Sequence, residues 1–75
     1  MAEKEIKLFY KQIGHNLRSA RLSQSLSQLD LATITDLEKT TISRIENGRT
    51  NVTAKTLFVL SEALNISPAL LLQSK

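Results

Sequence analysis

Four side chains between positions 39 and 44 could do recognition chemistry together: Lys39, Thr40, Ser43 and Arg44. Steps of one, three and one residue put all four on one side of a helix. Lysine and arginine bring charged N–H donors, and the two hydroxyls can donate or accept at short range. Such a set suits the acceptor edge of guanine in a major groove, and it equally suits water. The segment that carries it therefore decides its meaning. Other chemistries lack their parts. There is no cysteine, hence no disulfide framework or thiolate ligand set. His15, the only histidine, has no carboxylate cluster beside it and reads as ordinary surface, so no metal site is expected. No glycine-rich phosphate loop, oriented nucleophile or pair of acids in an apolar setting is visible. Neither an enzyme nor a cofactor or small-molecule substrate is expected.

The residues that must position this set run from Leu26 to Gly48. Ser27 is a good helix N-cap, because its hydroxyl can accept from a free N–H of the first turn. Leu31 and Ala32 follow on one face, and the small Ala32 lets a second helix cross closely. The pattern breaks at Thr35-Asp36, where aspartate tolerates a left-handed backbone better than most residues. A second helical pattern starts near Glu38, with Leu37, Ile42 and Ile45 inward and Lys39, Thr40, Ser43 and Arg44 outward. Asn47-Gly48 ends it, glycine being the residue that most easily turns left-handed after a helix.

Two short helices joined this way resemble the helix-turn-helix of phage repressors and Cro, the XRE family. The matching residues are Leu26-Ser27-Gln28, Leu31-Ala32, the run Ile42-Ser43-Arg44-Ile45-Glu46-Asn47-Gly48, and downstream Thr56-Leu57, Leu60, Ala63-Leu64 and Ile66-Ser67-Pro68. The resemblance covers residues 13–72, with the helix-turn-helix at 27–47 and residues 1–12 as an N-terminal helical extension. It implies an all-α, five-helix, lambda-repressor-like domain that binds double-stranded DNA as a homodimer, with the third helix in the major groove. On that reading Lys39, Thr40, Ser43 and Arg44 meet base edges. Glu38 either accepts from a cytosine amino group or lowers non-specific affinity. Gln28, in the first turn of the second helix, touches the DNA backbone, where helix N–H groups favour phosphate. Ser27, Thr41, Asn47, Arg49 and Asn51 complete the phosphate-contacting set, which fixes register without reading bases. Lys55 and Arg18 could enlarge the same footprint. Arg21 and Glu46 are implied to form a structural ion pair tying the recognition helix to the first helix; Arg21 could instead contact phosphate. Two residues depart from the family pattern: Asp36 stands where glycine is common in the turn, and Glu38 where Ser or Thr usually caps.

Elsewhere the pattern is equally helical. Ile6, Phe9, Tyr10, Ile13, Leu17 and Ala20 recur at spacings of three and four over residues 3–22, an amphipathic first helix. Gly14 within it costs about 1 kcal/mol against alanine, so something must come close there, either a helix or a DNA phosphate. Thr53 caps a fourth helix over 54–64, with Leu57, Leu60, Ala63 and Leu64 inward and Asn65 as a left-handed stop. Ser67-Pro68 opens a short fifth helix, proline being harmless at the first helical position. The end, Gln73-Ser74-Lys75, is expected to be loose. Val59, Leu70, Leu71 and Leu72 are more apolar residues than one small core obviously needs: they either fill the monomer core or, as expected here, form a dimer interface that would set two recognition helices about 34 Å apart.

Seventy-five residues with a net charge of +3 make one small, mildly basic domain. The charged N-terminus is no signal peptide, no apolar run spans a membrane, and a cytoplasmic location is expected. The chain's size and the loop Arg49-Thr50-Asn51-Val52-Thr53 resemble those of the stand-alone controller proteins of restriction-modification systems, which implies a bare DNA-reading head. An antitoxin subunit regulating its own operon is the alternative, as is a protein-interaction module that has lost DNA.

Overall fold

A computed structural model describes residues 2–74; Met1 and Lys75, the last residue of the expected loose end, lie outside the described residues. Among these residues five helices form and no strand does: α1 Glu3–Ser23, α2 Gln28–Thr35, α3 Lys39–Glu46, α4 Ala54–Leu64 and α5 Pro68–Leu72. The all-α, five-helix expectation holds. α1 packs on α3 and α5, α2 on α3 and α4, and α4 on α5.

The caps explain most of the boundaries. Ser27 Oγ accepts from the Asp30 N–H at 2.9 Å, while Asp30 Oδ2 accepts from the Ser27 N–H at 2.9 Å. This reciprocal box satisfies two helix-end donors at once. Asp36 ends α2 in the left-handed conformation, φ 59°, and its N–H donates to the Ala32 carbonyl. Aspartate thus does the work of the family's glycine. Thr53 caps α4 through Thr56 N–H, Asn65 stops it at φ 55°, and Ser67 caps α5 through Ala69 N–H. Glu38 precedes α3 without any side-chain cap, and its carboxylate points into solvent.

The core is Ile13, Leu17, Ala20, Leu31, Ala32, Ile42, Ile45, Leu60, Leu64 and Leu71. Leu26, Leu37, Val52, Leu57, Ala63 and Ile66 close it from the sides. Phe9 departs from the expected apolar stripe: it is 48% exposed, because the early turns of α1 turn Glu3, Lys7, Tyr10 and Lys11 toward Gly48 and Arg49, and Phe9 lies on another side of the helix. Gly14 answers its own question. An added Cβ would press on the carbonyl oxygen of Ile45 and lie 2.6 Å from that of Glu46. The close neighbour is therefore the end of α3.

Two long-range side-chain caps were not visible in the local pattern. Asn16 Nδ2 donates to the Leu71 and Gln73 carbonyls at 2.9 and 2.8 Å, so Gln73 is held and not loose. Gln24 Nε2 donates to the Leu64 carbonyl at 2.6 Å, closing the end of α4.

Leu71 requires a correction. It was expected at the dimer interface, yet it is 0% exposed inside the chain's own core. In a five-residue helix only one of three consecutive leucines can face inward, and packing selects the middle one. Leu70 and Leu72 remain exposed at 44% and 39%, and Val59 is half-buried.

Candidate nucleic-acid interface

α3 is eight residues long and divided cleanly into two sides. Ile42, Ile45 and Glu46 are buried, whereas Lys39, Thr40 and Arg44 are exposed and Ser43 and Thr41 half-exposed. The periodicity explains this, because Ile42 and Ile45 lie three residues apart and lock one side into the core. Glu38 and Lys39 open the helix on its exposed side. Thr41, Arg44, Asn51, Thr53 and Thr56 line a shallow concavity of about 150 Å³ between α3 and the start of α4.

The end of α3 is anchored by charge. The Glu46 side chain is fully buried, and four N–H groups converge on its two oxygens. Arg21 donates from Nε to Oε2 at 2.6 Å and from Nη2 to Oε1 at 2.9 Å. Gln28 Nε2 and Arg18 Nε reach Oε1 at 3.1 and 3.2 Å. Arg21 Nη1 also donates to the Leu26 carbonyl at 2.8 Å. Burial pushes the Glu46 carboxyl up, but hydrogen bonds from Arg21, Gln28 and Arg18 outweigh it and hold the group below the ordinary glutamate range. The same bond to Glu46 raises Arg21, against burial. The ion pair named from the sequence is thus present, with two further members.

Around this anchor lie the expected backbone-contacting residues. Gln28 is half-buried in the first turn of α2, one amide N–H held by Glu46 and the other free. Ser27 is exposed, its Oγ engaged as the acceptor of the cap. Asp30 in that first turn is an acid the sequence reading passed over, its carboxyl lowered by the Ser27 N–H and hydroxyl. Asn47 is exposed beside Arg18 Nη2, 3.5 Å away, and Ser43 Oγ, 3.4 Å away. Arg49 and Asn51 are exposed past Gly48, whose φ of 68° turns the chain out of α3. Lys11 of α1 packs directly against Gly48. Arg18, Gln28, Asn47 and Ser43 are joined by contacts; Lys39, Thr40 and Arg44 share the exposed side of α3.

A helix held by one buried side, with its other side basic and hydroxyl-bearing and crossed by α2, defines a helix-turn-helix protein. Residues 17–71 match the family model HTH_3, Helix-turn-helix, and the chain belongs to that family. It is 44% identical over 55 residues to control protein C.SmaI of Serratia marcescens, a match that spans 73% of this chain and 66% of the relative. Its fold is similar to that of the restriction-modification controller protein C.AhdI from Aeromonas hydrophila. There the TM-score is 0.80 at 32% identity, covering 83% of this chain and 94% of that one. Controller protein C.Esp1396I, solved as a tetramer with its natural 35 base-pair operator, superposes with a TM-score of 0.76 at 28% identity. That match covers 84% of this chain and 83% of the other.

Proposed function

We propose that this chain is a sequence-specific regulator of transcription that binds double-stranded operator DNA as a homodimer. The observation that carries the reading is the division of α3: a locked apolar side, and an exposed side bearing Lys39, Thr40, Ser43 and Arg44. In this reading α3 enters the major groove. Lys39 and Arg44 donate to guanine acceptors, and Thr40 and Ser43 offer short-range contacts. Glu38, uncapped and solvent-facing, accepts from a cytosine amino group or repels wrong sites. Ser27, Gln28, Thr41, Asn47, Arg49 and Asn51 grip phosphates on the two flanks of the groove and set its register.

Likeness to controller proteins, one of them bound to its operator, supports a role in controlling a restriction-modification operon. The chain acts by binding and not by turnover, and it works in the cytoplasm beside its DNA. No helix among the described residues is long and apolar enough to cross a membrane. The dimer forms through α4 and α5, where Val59, Leu70 and Leu72 leave apolar surface uncovered and Phe58 adds more at 58% exposure. A two-fold pair places the recognition helices one DNA turn apart, so the operator halves repeat in inverted order.

A gel-shift titration against salt tests the reading. Log K for a duplex selected from random sequence should fall linearly with log salt, by about 0.9 per phosphate neutralised. A salt-independent complex, or no binding at low salt, would favour a protein-interaction module on the same scaffold.

A further inference from the structure

We infer that Arg18 is a DNA-phosphate ligand, pre-set by Glu46 and Asn47, a deepening that rests on the DNA-binding reading above. Arg21 already neutralises Glu46 with two hydrogen bonds, so the Arg18 guanidinium is a surplus positive charge at this spot. Its side chain is 48% exposed, whereas that of Arg21 is 9% exposed. The outer part of Arg18 is therefore open to a ligand, which that of Arg21 is not.

A guanidinium carries five N–H donors in a rigid plane. In Arg18 the Nε–H goes to Glu46 Oε1 at 3.2 Å, and one Nη2–H leans on Asn47 Oδ1 at 3.5 Å. The remaining three donors have no partner among the described residues. Glu46 Oε1 therefore fixes the guanidinium by its inner edge and leaves the outer edge for a planar, bidentate acceptor, which phosphate oxygens provide.

Gln28 hangs from the same oxygen at 3.1 Å with one amide N–H unused, at the N-terminal turn of α2 where backbone N–H groups favour an anion. Asn47, on the other side, reaches Ser43 on the recognition helix. Asp30 is the acid in that turn, and its carboxylate is turned back onto the Ser27 N–H. One buried carboxylate thus orients two outward-facing donors from different helices, Arg18 of α1 and Gln28 of α2. Their shared acceptor is a phosphate of the backbone strand that passes the start of α2.

The test measures Kd against salt for the parent chain, Arg18→Ala and Arg18→Lys. Each is titrated with a duplex selected by the parent from random sequence and with an unselected duplex. Arg18→Ala should make the salt slope about one unit less negative and weaken both duplexes by the same factor. Arg18→Lys should keep the slope, since the charge remains, while binding several-fold more weakly because lysine lacks the planar fork. Melting midpoints taken alongside separate this from a packing role, which would move stability and leave the slope alone. Parent binding with an unchanged slope in Arg18→Ala, or a lysine variant equal to the alanine variant, overturns the assignment alone. Failure of the parent to bind any duplex overturns the DNA-binding reading with it.

Discussion

Arg21 of α1 and Glu46 of α3 are joined by two parallel hydrogen bonds, at 2.6 and 2.9 Å, with the carboxylate fully buried. This pair connects the long helix to the end of the recognition helix and closes the α1–α3 contact that Gly14 makes tight. Its strength comes from two-point geometry and from the burial of the acid. The orientation of α3, and with it of Lys39, Thr40 and Arg44 on its exposed side, depends on this joint.

Glu46→Gln leaves Arg21 buried and uncompensated, which should cost about 3 kcal/mol at neutral pH in urea unfolding. The folded Glu46 carboxyl lies below its ordinary value near 4.5, so it binds its proton less readily in the folded chain than in the unfolded one. Its contribution is therefore complete above that value and disappears as pH falls through the lowered one. Stability of the parent should drop steeply in acid, and that of Glu46→Gln more gently. Parallel pH profiles for the two proteins would contradict the assignment.

Gly14→Ala reverses the usual expectation. Within a free helix the change would stabilise by about 1 kcal/mol. Here the new methyl meets carbonyl oxygens of Ile45 and Glu46, backbone atoms that cannot swing aside. Overpacking of this kind should destabilise by about 2 kcal/mol net. Because α3 must shift to make room, DNA affinity should fall as well. Chemical denaturation and a gel shift on the same sample read both effects, and a stabilised Gly14→Ala chain would refute the close crossing.

How far the residues alone disclose this molecule depends on the range of the interaction. Helix ends were legible, because Ser27, Asp36, Thr53, Asn65 and Ser67 act on backbone groups within a few positions of themselves. The inward side of α3 was legible for the same reason: Ile42 and Ile45 mark it by spacing. The convergence of Arg18, Gln28 and Arg21 on one carboxylate was not, since the three donors lie 18 to 28 positions before Glu46 and no local rule brings them to it. Only the Arg21–Glu46 part was reachable, by resemblance. The leucine run 70–72 failed for another reason, as a helix of fewer than two turns has too little periodicity to rank its sides. Asn16 and Gln24 cap helices 55 and 40 positions away, beyond any sequence signal.

Base reading and phosphate gripping should separate by mutation. Arg44 is exposed on α3 itself, whereas Arg49 follows the turn at Gly48. Arg44→Ala should relax preference at one position in each half-site and cost about 1–3 kcal/mol on the selected duplex. Arg49→Ala should weaken selected and unselected duplexes equally and lower the salt slope by about one. Selection from random sequence with each variant reads the difference. Identical behaviour of the two would remove the division of labour proposed for this end of the molecule.

The leucines of α5 supply a test of the dimer that a single substitution could not. Leu71 is sealed in the core, so Leu71→Glu buries a charge and should unfold the chain, which reports nothing about association. Leu72→Glu and Val59→Glu alter side chains that keep contact with solvent, and each should leave a folded helical chain. If α4 and α5 form the interface, both variants should sediment as monomers at concentrations where the parent is a dimer. Half-site DNA should then bind almost as before, while a full inverted repeat loses the gain from two linked heads, on the order of a hundredfold or more. Dimeric Leu72→Glu and Val59→Glu chains would move the interface to another face, such as the α2–α4 groove between Ile34 and Phe58, both more than half exposed.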